Sequence, residues 1–218
     1  MISQFIIFLI AAYFFGSIPF GKLIAWQVAK INITRRGSGN IGATNVAREL
    51  GVTWGIATLF LDVLKGFVPV LVFAIYASQT GINREIGILA VGLCALLGHQ
   101  FSVFLKFRGG KGVATAVGIY LVISPVACLV AAFLFFLIVY KWDFVSLGSI
   151  LSAIAMPILL AFFGHSPPIV IGSFIAAALI CFKHADNIQR LVKGKERKWR
   201  GGKNQPKISR SLSNSSSE

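Results

Sequence analysis

Three polar segments interrupt an otherwise apolar chain, and their residue types suit the handling of phosphate. The first runs from Gly37 to Arg48 and contains Ser38, Gly39, Asn40, Thr44 and Asn45. The second runs from Gly98 to Gly112 and contains His99, Lys106, Gly109, Gly110 and Lys111. The third starts at His184 and Asn187 and continues through Arg190 to Glu196. The first two share a design, a glycine-rich loop expected to lead straight into a helix. Glycines let backbone N–H groups point inward with no Cβ in the way. The helix N-terminus that follows adds a positive dipole end. Arg48 can fork onto phosphate oxygens, and Lys111 supplies a point charge. Such a cradle holds phosphate without a metal, and no metal or other cofactor is expected. The second segment is not a Walker A loop, because Leu105 stands where the first glycine of that motif belongs.

His184 and Asn187 are three residues apart and so share a helix face. They sit at the C-terminal end of the last apolar run, where the helix dipole favours a charged imidazolium. They read either as ligands of a hydroxyl or phosphate, or as interfacial residues of a basic stretch. His99 lies at the inner end of the third apolar run and either lines the same site or packs. His165 falls on the opposite side and is set apart. Asp62 and Lys65 are also three apart, but inside an apolar run. Intramembrane charges pair and face the protein interior, so these two are a structural pair or a part of the site. Cys94, Cys128 and Cys181 each lie within an apolar run, and their spacing suggests packing rather than a metal or disulfide framework.

The elements that must position these residues are membrane helices. Of the 218 residues, 56% are hydrophobic and only 13% charged, and the mean hydropathy is +0.79. A soluble domain would carry about a quarter charged residues. The formal charge is +14, from 21 Lys+Arg against 7 Asp+Glu. The cations fall between the apolar runs and in the tail, as they do in cytoplasmic loops, so nucleic acid is not the expected partner. Met1–Phe20 has no basic n-region and reads as a first membrane helix rather than a signal peptide. The cations Lys22, Lys30, Arg35 and Arg36 follow it, which places the N-terminus outside.

The apolar runs cover about residues 2–28, 52–77, 86–105, 113–140, 145–163 and 169–182. If 113–140 were one span, the most basic tail would end outside. Two crossings, broken near Ser124-Pro125, restore every sign, and Pro125 gives the break a mechanism. At 1.5 Å per residue each half reaches only roughly 20 Å, short of the ~30 Å hydrocarbon core. The expectation is an all-α polytopic protein of about seven short transmembrane helices, N-terminus outside and C-terminus cytoplasmic, with five or six helices as the fallback. Residues 1–198 form the membrane domain. Residues 199–218 are a basic, Ser-rich tail expected to be disordered. No internal repeat is evident.

These motifs resemble a known family. The string Gly37 to Arg48 is similar to the first signature of the bacterial acyl-phosphate glycerol-3-phosphate acyltransferases (PlsY). Gly98 to Thr115 resembles their second signature, and His184 to Glu196 their third. Ser17-Ile18-Pro19-Phe20-Gly21 and Asp62-Val63-Leu64-Lys65-Gly66 also match. The resemblance covers about residues 1–198. It implies transfer of a fatty acyl group from acyl phosphate to the 1-hydroxyl of glycerol 3-phosphate. The products would be lysophosphatidic acid and phosphate, made at the cytoplasmic face of the bacterial inner membrane. By position, Ser38 and Arg48 become essential polar contacts. The second-signature glycines, with Lys111, help form the glycerol 3-phosphate site. His184 and Asn187 bind or orient substrate, and Glu196 is structural. Ser102 stands where the family often has Pro.

Both substrates carry phosphate, so Arg48, Lys111 and Lys65, with His184 if protonated, are the candidate charge partners. An acyl phosphate already has a good leaving group, so no protein nucleophile is needed. The hydroxyl proton goes either to His184 or to a phosphate oxygen of the donor, and the resemblance favours the second. No His is followed five positions later by Asp, the spacing common in acyl-CoA-dependent acyltransferases. Two rival readings are a transporter of a phosphorylated metabolite and a scaffold that binds anionic lipid through Lys193 to Lys207. Transporters place their sites at the membrane midplane, and a scaffold leaves the glycine- and asparagine-rich loops unexplained.

Overall fold

In hydrocarbon, backbone polar groups have no water to bond, so a chain this apolar must satisfy them within its own helices. The computed structural model describes residues 2–200, and every regular element among them is a helix. These are α1 (Ile2–Ser17), α2 (Phe20–Ala29), α3 (Ala43–Leu50), α4 (Val52–Tyr76), α5 (Arg84–Gln100), α6 (Val113–Ile123), α7 (Pro125–Trp142), α8 (Val145–Phe162), α9 (Pro167–Lys183) and α10 (Ala185–Val192), with three short 3-10 turns between them. Five stretches are long and apolar enough to cross a membrane: 2–29, 52–79, 84–105, 125–142 and 145–162. The pair α9–α10, bent by 63°, is long and apolar enough only when its two helices are taken together, which brings the count to five, or six with that pair. Helix α10 carries Asp186, Asn187, Gln189 and Arg190 on its two turns. Its polarity suits the surface past the bend, and the apolar α9 suits the span.

Two expected helices are broken where proline removes a donor. The first run, read as continuous to about Val28, divides at Ile18–Pro19 into α1 and α2. The break frees the Ser17 carbonyl, which accepts the Ser102 hydroxyl at 2.6 Å. The run 113–140 divides at Ser124, as Pro125 requires, but unequally. Helix α6 has 11 residues and α7 has 18, roughly 16 Å and 27 Å at 1.5 Å per residue. The third run ends its α-helix at Gln100 rather than Leu105, because the chain turns back there into the second polar loop.

One apolar core joins α1, α4 and α5, through residues such as Ala12, Phe73 and Leu96. A second joins α6 to α9 through Tyr120, Ala131, Met156 and Ile180. Lipid offers no hydrophobic drive for helix pairing, so close backbone approach must supply it. Between α4 and α6 that approach rests on Gly66 and Gly118. A Cβ on either would come within 2.0 Å of a carbonyl oxygen of the other helix, Thr115 or Val63. The contact sets α6 beside the Asp62–Lys65 turn, and the Thr115 hydroxyl donates to the Asp62 carbonyl at 3.1 Å.

The expected tail falls outside the described residues except for Trp199 and Arg200. Those two dock at the α7–α8 junction, where the Trp199 N–H donates to the Asp143 carbonyl at 2.8 Å and the Arg200 N–H to its carboxylate at 3.0 Å. Replacing Ser102 with alanine should strand the buried Ser17 carbonyl. An unsatisfied buried group costs about 1–3 kcal/mol, so thermal unfolding in detergent should show a Tm several degrees below wild type, with the helical signal at low temperature unchanged.

Candidate functional site

Asn45 builds the first polar loop. It is 2% exposed, and its amide is committed on both ends. The Ser38 N–H donates to Oδ1 at 2.9 Å, while Nδ2 donates to the Asn40 carbonyl at 2.8 Å and the Arg36 carbonyl at 3.1 Å. Asn40 in turn accepts the Gly42 N–H at 2.8 Å. Asn45, expected as a substrate contact, fastens the loop and also borders the larger cavity. Ser38, Thr44 and Arg48 line the same cavity, with Thr44 and Arg48 one helical turn apart on α3. The Arg48 guanidinium lies 5.9 Å over the Trp199 ring.

The second loop folds back onto the end of α5. The Gly109 and Gly110 N–H groups donate to the Gln100 and His99 carbonyls at 3.2 and 3.0 Å, and Gln100 Nε2 donates to the Lys111 carbonyl at 2.9 Å. The last carbonyls of a helix have no partner inside it, and here the loop supplies one for two of them. Only glycine fits this approach, since a Cβ on Gly109 would come 2.0 Å from the His99 carbonyl oxygen.

The third segment completes a chain of hydrogen bonds. Lys111 Nζ donates to Asn187 Oδ1 at 2.6 Å, and Asn187 Nδ2 donates to Glu196 Oε1, also at 2.6 Å. Glu196 accepts in addition from the Ser146 hydroxyl and Arg190 Nε, each at 2.8 Å. Burial alone would raise the Glu196 pKa, but the bonds from Arg190, Asn187 and Ser146 outweigh it and hold the carboxyl below its usual range. Burial lowers Lys111 to about 8, against a raising influence of Glu196.

His184 departs from expectation. It sits at the bend between α9 and α10 and is 2% exposed. Burial, with the Lys111 cation second, pushes it down to about 4, so the ring is neutral and not the imidazolium that the helix dipole favours. Desolvation outweighs the dipole because the dipole carries only about half a charge. Nδ1 donates to the Ile180 carbonyl at 2.8 Å, which leaves Nε2 as an acceptor.

Two adjoining cavities result. The larger, about 550 Å³, has a polar end lined by Ser38, Arg48, Lys111, His184, Asn187 and Arg197. It continues between α6, α7, α8 and α9 along apolar walls that include Val117, Tyr120, Ala131, Phe135 and Met156. The smaller, about 350 Å³, is bordered by Gly39, Arg108, Gly109, Gly110 and Lys183, and shares Ser38, Asn40, Lys111, Asn187 and Arg190 with the larger. Gly112, at φ +86, starts α6 between them. Lys106 is exposed and lines neither cavity, so the structure does not bring it to the site. Asp62 and His99 reach the larger cavity, while Lys65 stands behind them, fully buried. Glu196 bonds the machinery rather than facing outward. His165 lines neither cavity.

Sequence reasoning missed Ser146 as an anchor of Glu196. The signal was present: Ser146, Ser149 and Ser152 recur every three residues in an otherwise apolar helix, and all three line the larger cavity. Among the described residues no group of three or more His, Cys, Asp or Glu side chains is placed to hold a metal.

A polar, cationic pocket opening onto an apolar channel suits a ligand with an anionic head and a hydrocarbon tail. Comparison with known proteins agrees. Residues 6–194 match the family model of glycerol-3-phosphate acyltransferase. A glycerol-3-phosphate acyltransferase from Syntrophotalea carbinolica is 46% identical over 198 residues, 91% of this chain and 99% of the relative. One from Geobacter sulfurreducens is 48% identical over 189 residues, 87% and 94%. Two crystal structures of PlsY, an integral membrane glycerol 3-phosphate acyltransferase, share the fold at 37% identity, covering 89% of this chain and 95% of theirs. The TM-score is 0.83 for the glycerol 3-phosphate form and 0.81 for the lysophosphatidic acid form. With three signatures, a shared fold and nearly full-length relatives in agreement, this chain belongs to the glycerol-3-phosphate acyltransferase family.

Proposed function

We propose that this protein transfers a fatty acyl group from acyl phosphate to the 1-hydroxyl of glycerol 3-phosphate, yielding lysophosphatidic acid and inorganic phosphate, the first acylation of phospholipid synthesis. The observation that carries the reading is the larger cavity, cationic at one end and apolar along α6–α9. It is built for one molecule that is both phosphate and lipid. The family membership, and the glycerol 3-phosphate and lysophosphatidic acid forms of the two PlsY structures, support the acceptor and the product. The protein sits in the bacterial inner membrane with the three signatures at the cytoplasmic face. Seven crossings, α6 and α7 counted separately, with the N-terminus outside and the C-terminus inside, agree with the placement of the cations.

In this reading Arg48, Lys111 and Arg190 hold phosphate oxygens, and the glycine loops contribute backbone N–H groups. Ser38 contacts the reacting phosphate. The acyl chain lies between α6, α7, α8 and α9. The 1-hydroxyl oxygen attacks the acyl carbonyl carbon, the bond between that carbon and the bridging oxygen of the acyl phosphate breaks, and phosphate leaves with the bridging oxygen and the electron pair. Catalysis is then positioning and charge stabilisation, with no covalent enzyme intermediate. His184 Nε2, neutral and accepting, orients the glycerol hydroxyl. Burial lowers the pKa of the His184 ring to about 4 and so weakens it as a base. The hydroxyl proton therefore passes to a donor phosphate oxygen and leaves with the phosphate. Asn187 is fixed by Glu196 so that its carbonyl meets Lys111.

Purified protein given palmitoyl phosphate and glycerol 3-phosphate should release phosphate and form lysophosphatidic acid. Palmitoyl-CoA in place of palmitoyl phosphate should give no product, and turnover with the thioester would overturn the assignment of donor. The Lys111 ammonium binds phosphate only while protonated, so with its pKa near 8 kcat/KM for glycerol 3-phosphate should be level below pH 8. Above it, the value should fall by up to tenfold per unit. Lys111→Arg, which stays charged, should lower the plateau but remove that alkaline limb.

A further inference from the structure

The mechanism above leaves one buried cluster unused. Lys65 is 0% exposed, and its Nζ lies 2.8 Å from Asp62 Oδ1 and 3.1 Å from His99 Nδ1. The ammonium is also 5.4 Å over the Phe20 ring. A charged pair this far from water must return something for its desolvation. The Lys65–His99 contact joins residues 34 apart in the sequence, from α4 to the end of α5.

An ammonium has only donors. Facing Lys65, His99 Nδ1 must accept, so the single proton of the neutral ring sits on Nε2. The second ring position is then a donor, and among the described residues it has no hydrogen-bond partner. Its place is informative. A Cβ on Gly110 would come 2.2 Å from Nε2, so the ring lies directly against the second glycine loop. The same residue's backbone carbonyl holds the Gly110 N–H at 3.0 Å, and His99 lines the larger cavity. Nε2 thus lies against Gly110, one residue before Lys111, on a side chain that borders the larger cavity.

We propose that His99 Nε2–H donates a hydrogen bond to a phosphate oxygen of bound substrate, and that Lys65, held by Asp62, is the positioning residue that fixes the donating tautomer. Lys65 thereby serves the site without touching substrate. It orients a neutral donor in place of adding a further cation to a pocket that already holds Arg48, Lys111, Arg190 and Arg197. The inference rests on the acyltransferase reading. The phosphate belongs either to the acyl donor or to glycerol 3-phosphate, and the kinetics distinguish them.

Three variants test it in full-length protein reconstituted in lipid: His99→Gln, which keeps an N–H near the Nε2 position, His99→Phe, which keeps only bulk, and the double change Asp62→Asn with Lys65→Met. His99→Phe should lose roughly 10- to 100-fold in kcat/KM, the range for one hydrogen bond to a charged group. His99→Gln should recover most of it. A loss expressed in the KM for glycerol 3-phosphate assigns the bond to the acceptor, and one expressed in the KM for palmitoyl phosphate assigns it to the donor. Wild-type kcat/KM in the Phe variant, or a Gln variant no better than Phe, overturns the proposal. If wild-type protein fails to turn over palmitoyl phosphate, the acyltransferase reading itself falls. A second measurement does not depend on turnover. The chain has 3 His, so ¹⁵N-histidine spectra can be assigned with His99→Gln and His165→Gln. The expected result is His99 protonated at Nε2, with that nitrogen shifting on addition of glycerol 3-phosphate or inorganic phosphate, and the tautomer lost in the double variant. A proton on Nδ1, or no shift with either anion, rules the proposal out.

Discussion

Glu196 holds together a pocket that its cations would otherwise push apart. Arg48, Lys111, Arg190 and Arg197 all border one cavity, and like charges in a partly desolvated site repel more strongly than they do in water. Glu196 accepts from Arg190, Asn187 and Ser146, and through Asn187 it fixes the position of Lys111. Three parts of the chain, the second loop, the α9–α10 bend and α8, are tied at one carboxylate. The arrangement is sensitive because removing one member of a buried charged network leaves the others uncompensated. Within it, cations are held apart from one another yet still border the cavity.

Backbone satisfaction is the companion constraint. Each place where a helix stops inside this apolar chain frees carbonyls that lipid cannot bond. At Ser17 a serine hydroxyl from the second loop answers, and nearby the Tyr13 hydroxyl donates to the Phe101 carbonyl at 2.8 Å. At the end of α5 the glycine loop itself returns to cap the helix. The site is therefore built from repairs to interrupted helices. The loops that present polar groups to the cavities are the same ones that close the ends of the spans, which explains why Gly109 and Gly110 cannot carry a side chain.

The two-part cavity follows from the same geometry. Polar loops gather at one end of the bundle, and α6 to α9 leave an apolar channel beneath them. The short α6 matters here. With 11 residues it starts at the level of Lys111 and ends at Ser124, and its Val117 and Tyr120 wall the channel. A ligand with an anionic head and a hydrocarbon tail meets water-like partners and oil-like partners in one continuous space.

Much of this was legible in the residues alone. Hydropathy showed membrane helices because burying so many apolar side chains needs lipid, and Pro125 marked a break because proline lacks the donor a helix interior requires. Glycine loops beside Arg48 and Lys111 suggested an anion cradle, and the structure brings both cations to one cavity. Roles that depend on what lies across the bundle were not readable. Asn45 read as a substrate contact, and the structure adds that its amide is engaged by its own loop at the cavity wall. Lys106 read as a substrate contact, and the turn after α5 leaves it outside both cavities. The helix end left the charge of His184 open, and its burial next to Lys111 pushes the ring toward the neutral form. Local chemistry and periodicity are properties of neighbours along the chain. Protonation, hydrogen-bond engagement and the shape of a cavity depend on groups dozens of residues away, and only the packed helices bring those together.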